Sequence, residues 1–151
     1  MLMIPTEAIG AAAHGLAVGA GAFWLASPVT EELLRFDRRG HKRVISTGSG
    51  SFPSDVAVGE GGVWVADSAN NTVIQIDPSR NRIVRKVRVG GDPVAVAIGS
   101  GAVWVANDQG GSVSRIDPRT GRVTTFRVGP YPRDIAIGEG GVWVTAHRLN
   151  G

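Results

Sequence analysis

The chain has 151 residues, 42% of them apolar and 19% charged, a balance that excludes a disordered segment and fits a folded domain. Its net charge of +3 comes from 14 Arg and two Lys scattered along the chain, which argues for a solvated rim and against a nucleic-acid partner. There is no cysteine, so disulfides and thiolate chemistry are excluded.

The first 14 residues are apolar, lack a basic n-region and carry Glu7, so neither a signal peptide nor a membrane span is read there. An internal repeat accounts for them instead. Trp24, Trp64, Trp104 and Trp143 recur at intervals of 40, 40 and 39 residues inside the phrases AFWLA, GVWVA, AVWVA and GVWVT. A period near 40 signals an array of one supersecondary unit. In that register Met3 to Ile9, followed by Gly10, aligns with the last strand of a unit, so residues 1–14 are assigned to a preceding unit. The first unit is 15–54, the second 55–93, the third 94–133, and 134–151 begins a fourth.

The first unit is the least regular. Phe36-Asp37-Arg38 stands where the next two units have Ile-Asp-Pro, and Ser27 to Glu32 replaces an Asn- or Gly-rich turn. Thr30 to Phe36 could suggest a helix, but Asp37 keeps register with Asp77 and Asp117, so the segment reads as a third strand. The second unit is the clearest: apolar Asp55 to Gly59, a Gly turn, Val63 to Ala66, a polar turn, alternating Thr72 to Ile76, an Asp-Pro turn, and Arg82 to Val89. The third copies it through Val94 to Ile98, Ala102 to Ala106, Ser112 to Ile116 and Arg122 to Val128. The fourth supplies Asp134 to Ile137 and Val142 to Thr145. Short β-branched runs with turn signals every 8 to 12 residues predict strands throughout.

The first two strands of a unit are apolar on both faces, as in a covered sheet. The last alternates cations with apolar residues, as in Arg85, Lys86 and Arg88 among Val84, Val87 and Val89, which suits an outer edge protected from strand addition. Four strands with a buried inner edge and a charged outer edge describe a propeller blade. The expected fold is therefore all-β: about three and a half four-stranded blades of ~40 residues, forming one propeller domain. Rings of about four to eight blades are usual, so the count predicts part of a larger six- to eight-bladed ring. A homo-oligomer that completes the ring is the second expectation, because stacked repeats need neighbours or caps.

The run Ala-Ile-Gly-Ser-Gly-Ala-Val-Trp-Val-Ala-Asn (97–107), then Val-Ser-Arg-Ile-Asp-Pro-Arg-Thr-Gly (113–121) and a later Val-Gly-x-x-Pro, resembles the YVTN-type β-propeller repeat. NHL-repeat and streptogramin B lyase-like propellers are related to it. The resemblance covers residues 15 to 146. It implies an extracytoplasmic setting, periplasmic or secreted. For the lyase relatives it also implies His and Glu near the channel mouth with a divalent metal, a motif to which no residue here can be matched.

Repetition sorts the candidate residues. The Trp are expected to pack between blades, each indole N–H seeking a partner. Asp37, Asp77 and Asp117 precede turns and are expected to bond the backbone two residues on. The glycine runs 59–62 and 99–102 lack a following helix and Lys, so they are hairpin turns and not phosphate loops. The loops that vary are the ones on one face of the ring. They nominate Phe52, Asp55, Asp92, Tyr131, Arg133, Asp134 and His147 as ligand-binding residues. Phe52 and Tyr131 occupy corresponding positions and could form an aromatic lip. No catalytic and no metal-binding residue is assigned, and no cofactor is expected except a divalent metal under the lyase alternative.

The sequence thus points to a non-enzymatic binding or interaction module for a protein or small molecule, docking around a central channel. Two alternatives stand beside it: a streptogramin lyase-like or lactonase-like enzyme, and the extracellular sensor portion of a receptor or kinase.

Overall fold

The computed structural model describes residues 13–147, so the strand expected at Met3 to Ile9 lies outside the described residues. The first blade is β1 (Gly15–Gly19), β2 (Ala22–Ser27), β3 (Glu32–Asp37) and β4 (Lys42–Ser46). The second is β5 (Pro53–Gly59), β6 (Gly62–Asp67), β7 (Thr72–Asp77) and β8 (Arg82–Arg88). The third is β9 (Pro93–Gly99), β10 (Ala102–Asn107), β11 (Ser112–Ile116) and β12 (Val123–Arg127). β13 (Pro132–Gly138) and β14 (Gly141–Ala146) start a fourth. Each sheet is an antiparallel meander in chain order, and the inner strands β1, β5, β9 and β13 lie side by side.

The units begin one or two residues earlier than the sequence boundaries at 55, 94 and 134. Each inner strand from the second blade on opens on a proline, Pro53, Pro93 or Pro132, at the one strand position where a missing N–H costs nothing. The residue after it is an unpaired bulge. Pro53 faces Asp67 and Asp55 faces Ala66, so Ser54 has no opposite number; Val94 and Arg133 occupy the same place in the next two blades. A bulge bends the strand and re-aims its side chains, and these three stand at the loop face.

The core lies between sheets. Trp24 packs with Val56, Val63, Val65, Ile74 and Ile76 of the second blade. Trp64 does the same with Val96, Val103, Val105 and Ile116 of the third, and Trp104 with Ile135, Ile137, Val142 and Val144 of the fourth. Each indole N–H donates to a glycine carbonyl five residues back: Gly19, Gly59, Gly99 and Gly138, at 3.1–3.2 Å. The rings can therefore be buried without leaving a donor unpaired. Trp24 and Trp64 are fully buried, whereas Trp143, on the last of the described blades, is 62% exposed.

Those same glycines let the inner strands approach. A Cβ on Gly19 would sit 2.6 Å from Val58 Cγ1, on Gly59 2.9 Å from Ile98 Cγ2, and on Gly99 2.7 Å from Ile137 Cγ2. Each blade thus pushes an aliphatic knob into a socket that glycine leaves in the blade before it. On the outer strand β8, Arg82, Lys86 and Arg88 are exposed while Ile83 and Val87 turn inward; against the expected alternation Val84 is exposed and Arg85 half-buried, its guanidinium donating to the Pro118 and Arg119 carbonyls.

The turn aspartates serve the turns. Asp37, Asp77 and Asp117 each accept the backbone N–H two residues on at 2.8 Å. No helix among the described residues is long and apolar enough to cross a membrane.

Candidate functional site

Two sets of loops meet on one face: those entering an inner strand, and those joining the second strand of a blade to its third. A hydrogen bond repeated at three successive blades joins them. The Phe52 carbonyl accepts from Ser68 N–H at 3.1 Å, Asp92 from Asp108 N–H at 2.8 Å, and Tyr131 from His147 N–H at 3.1 Å. One backbone slot is therefore filled by phenylalanine, aspartate and tyrosine in turn. Phe52 is 41% and Tyr131 37% exposed, so both rings are presented rather than buried. Tyr131 is held at φ +53° and Asp92 at +56°. Asp tolerates this left-handed region, but an aromatic there is uncommon, and such strain concentrates at functional positions.

The slots differ in their surroundings. At the first, the ring of His14 meets Phe52 edge-on with centroids 5.5 Å apart, and Asp67 Oδ1 accepts the Phe52 N–H at 2.9 Å. At the others a charged group assembles. Arg133, aimed by its bulge, places Nη1 3.2 Å from Oδ2 of buried Asp108. The second oxygen of Asp108 is buried and has no hydrogen-bond partner among the described residues. Asp92 is pushed above the ordinary carboxylate value, first by burial and then by the Asp108 charge, while Arg133 pulls it back. Asn71 Oδ1 fixes the Asp92 backbone N–H at 2.8 Å. Two carboxylates, one guanidinium and a tyrosine thus share the junction of the third and fourth blades.

Asp55 and Asp134 stand at the starts of inner strands, and their chemistry is partly structural. Asp55 accepts Val56 N–H and, across the blade junction, Val96 N–H, both at 2.9 Å. Among the described residues Asp134 makes only the local bond, to Ile135 N–H at 2.9 Å. Of the seven nominated residues, Asp92 and Arg133 are brought together around Asp108, Tyr131 and His147 are joined by their backbones at the adjoining slot, Phe52 lies at an earlier slot, and Asp55 and Asp134 are held by backbone donors. Asp108 is the partner that the nominated set lacked. The three bulges share only the proline before them, at 53, 93 and 132, and nothing in the sequence points from Arg133 to Asp108. Among the described residues no group of three His, Asp or Glu is placed to hold a metal ion. An open groove of about 650 Å³ lies elsewhere, at the outer hairpin of the first blade beside Arg35, His41 and Arg43.

Sheets packed face to face around inner strands, with a variable loop face above them, define a β-propeller repeat protein. Within that class, the sequence model described as "Repeat of unknown function (DUF6923)" matches residues 30–147, and the chain belongs to this family. No curated protein sequence matches the chain. Among solved structures it is similar to a streptogramin B lyase, with TM-score 0.81 and 19% identity over 88% of this chain and 47% of that one. It is similar also to a catalytically inactive virginiamycin B lyase from Staphylococcus aureus with quinupristin, with TM-score 0.80 and 25% identity over 88% and 48%. A third is the Kuenenia stuttgartiensis hydrazine synthase, with TM-score 0.83 and 14% identity over 92% and 43%. The chain spans about half the length of these structures. Proteins of such different kinds on one architecture show that the architecture does not choose the chemistry.

Proposed function

We propose that this chain is a non-enzymatic binding module whose ligand docks on the loop face, above the junction of the third and fourth blades. The observation that carries the reading is the repeated backbone slot. Phe52, Asp92 and Tyr131 are held by the same hydrogen bond, yet each carries a different side chain. A fold under selection only for blade packing has no need to present tyrosine at positive φ beside an ion pair. The composition of the junction favours a ligand with a flat apolar part for Tyr131 and a polar part for Asp92 and Arg133. The test is a ligand-observed NMR screen of a small-molecule and peptide library against the wild type and a Tyr131→Ala/Arg133→Ala double variant. Binders that lose affinity at least tenfold in the variant support the reading, and binders indifferent to it overturn it.

The 25% identity to virginiamycin B lyase favours the enzymatic alternative. That reading predicts conversion of quinupristin by the purified chain, read by liquid chromatography as loss of the substrate peak and growth of a new one. It would need His147 or His14, the two histidines on the loop face, as the proton-transfer group. Unchanged quinupristin at high enzyme concentration removes this alternative and leaves the binding reading standing.

A further inference from the structure

The two ends of the blade array are unequal, and each lacks what the other offers. Val18 corresponds to Val58, Ile98 and Ile137, the knobs that fill glycine sockets, but it has no socket and is 71% exposed. Gly138 corresponds to Gly19, Gly59 and Gly99, the sockets, and a Cβ there would meet nothing within 4 Å. Trp143 is 62% exposed where Trp24 packs on Val56 and Val58 of the next blade, and the first-blade equivalents of that pair are Leu16, 56% exposed, and Val18. Asp134 makes the local half of the carboxylate clasp that Asp55 completes on Val96 N–H, and the first-blade equivalent of Val96 is Leu16. Farther out on the same side of the first blade Leu25 and Phe36 are buried, while Val44 on the outer strand is 49% exposed.

We propose that two copies of this chain join head to tail, Val18 of each entering the Gly138 socket of the other. Asp134 of one copy then accepts the Leu16 backbone N–H of its partner, and Trp143 covers Leu16 and Val18. A heterologous contact closes only if its rotation sums to a ring. The number two follows from size: one chain spans 47–48% of the lyase propellers, so two copies together reach about the length of one. The junction continues the packing already used three times inside the chain, so it needs no new kind of surface. Closure also places two copies of the Asp92, Asp108 and Arg133 group around one channel, which a single chain leaves half built.

Light scattering coupled to size exclusion tests this on the full chain, from micromolar to hundreds of micromolar. The expected result is a dimer that dissociates on dilution. Val18→Asp and, separately, Gly138→Val are expected to shift the dissociation constant at least a hundredfold toward monomer. Their far-ultraviolet circular dichroism should stay that of the wild type. Asp134→Asn, which leaves packing intact, is expected to weaken the dimer about tenfold. A wild type that remains monomeric at every concentration overturns the proposal and assigns the open ends to further blades of a longer polypeptide. A dimer indifferent to all three substitutions, or an open series of larger oligomers, overturns it equally. None of these outcomes depends on ligand binding, so a failure here is distinct from a failure of the loop-face reading.

Discussion

Asp55 in the second blade reaches across to the Val96 backbone N–H in the third at 2.9 Å, while its other oxygen takes Val56 N–H at the same distance. The carboxylate ties two sheets at the point where their inner strands converge. Asp55→Ala leaves the Val96 donor without this partner, and a hydrogen bond to a charged group contributes about 1.5–3 kcal/mol. Urea denaturation is expected to show a loss of that size. Burial pushes the Asp55 carboxyl above its ordinary value, against the two backbone bonds, which pull it down; the Asp134 charge adds to the rise. The native state therefore binds this proton more readily than the unfolded chain. As pH falls through the raised folded value, the contribution of Asp55 to stability grows, until both states are protonated below about 3.9. The deficit of Asp55→Ala is expected to be larger near pH 4 than at pH 7.

Gly99→Ala tests the close approach of inner strands. Its Cβ would stand 2.7 Å from Ile137 Cγ2 and 3.1 Å from Cδ1, so near that the Ile137 side chain or its strand must shift. Forcing a methyl into such packing costs about 1–3 kcal/mol. A thermal melt is expected to fall accordingly, and Gly99→Ala/Ile137→Ala is expected to recover part of the loss, because the small knob makes room.

Trp64 is fully buried between the second and third blades and bonds the Gly59 carbonyl at 3.2 Å. Truncation to alanine is expected to cost about 3–5 kcal/mol, enough to unfold a marginal chain. Trp64→Phe keeps most of the apolar area and loses the N–H bond, so its melt should fall between the two.

The turn aspartates give an acid limb of opposite sign to Asp55. Asp77 is held below the ordinary carboxylate value chiefly by the Ser79 hydroxyl and backbone bonds; Asp37 is held down chiefly by the His41 backbone bond and Asp117 by that of Arg119. Their contribution is present above about pH 4 and is lost as pH falls through the lowered folded values. Asp77→Asn keeps an acceptor and removes the titration. Its stability relative to wild type is expected to be lower at pH 7 and equal or higher at pH 2, read by denaturant midpoints across that range.

The blades are legible because their signals are local and repeated. Val-Trp-Val at constant phase marks a covered strand, Asp-Pro marks an outer turn, and alternating Arg and Val marks an edge. Even Thr30 to Phe36, the least regular segment, is placed as a strand by the phase of Asp37, and β3 runs Glu32–Asp37. The site is only partly legible. Periodicity marks where loops vary, and so nominates Asp92, Tyr131 and Arg133. It cannot tell that Asp55 spends its carboxylate on two backbone donors, nor that Arg133 turns on a bulge toward Asp108. Those facts depend on which blade lies beside which, a relation between distant parts of the chain that strand patterns do not encode.

The most direct test of the loop-face claim is an assigned nitrogen–proton correlation spectrum of the chain, titrated with the strongest binder from the library screen. Shifted amides are expected to concentrate at the junction of the third and fourth blades, residues 89–92 and 128–133, and to be greatest at Asp92, Tyr131 and Arg133. Shifts concentrated instead on the outer strands β4, β8 and β12, or at the Asp37, Asp77 and Asp117 turns, would contradict it.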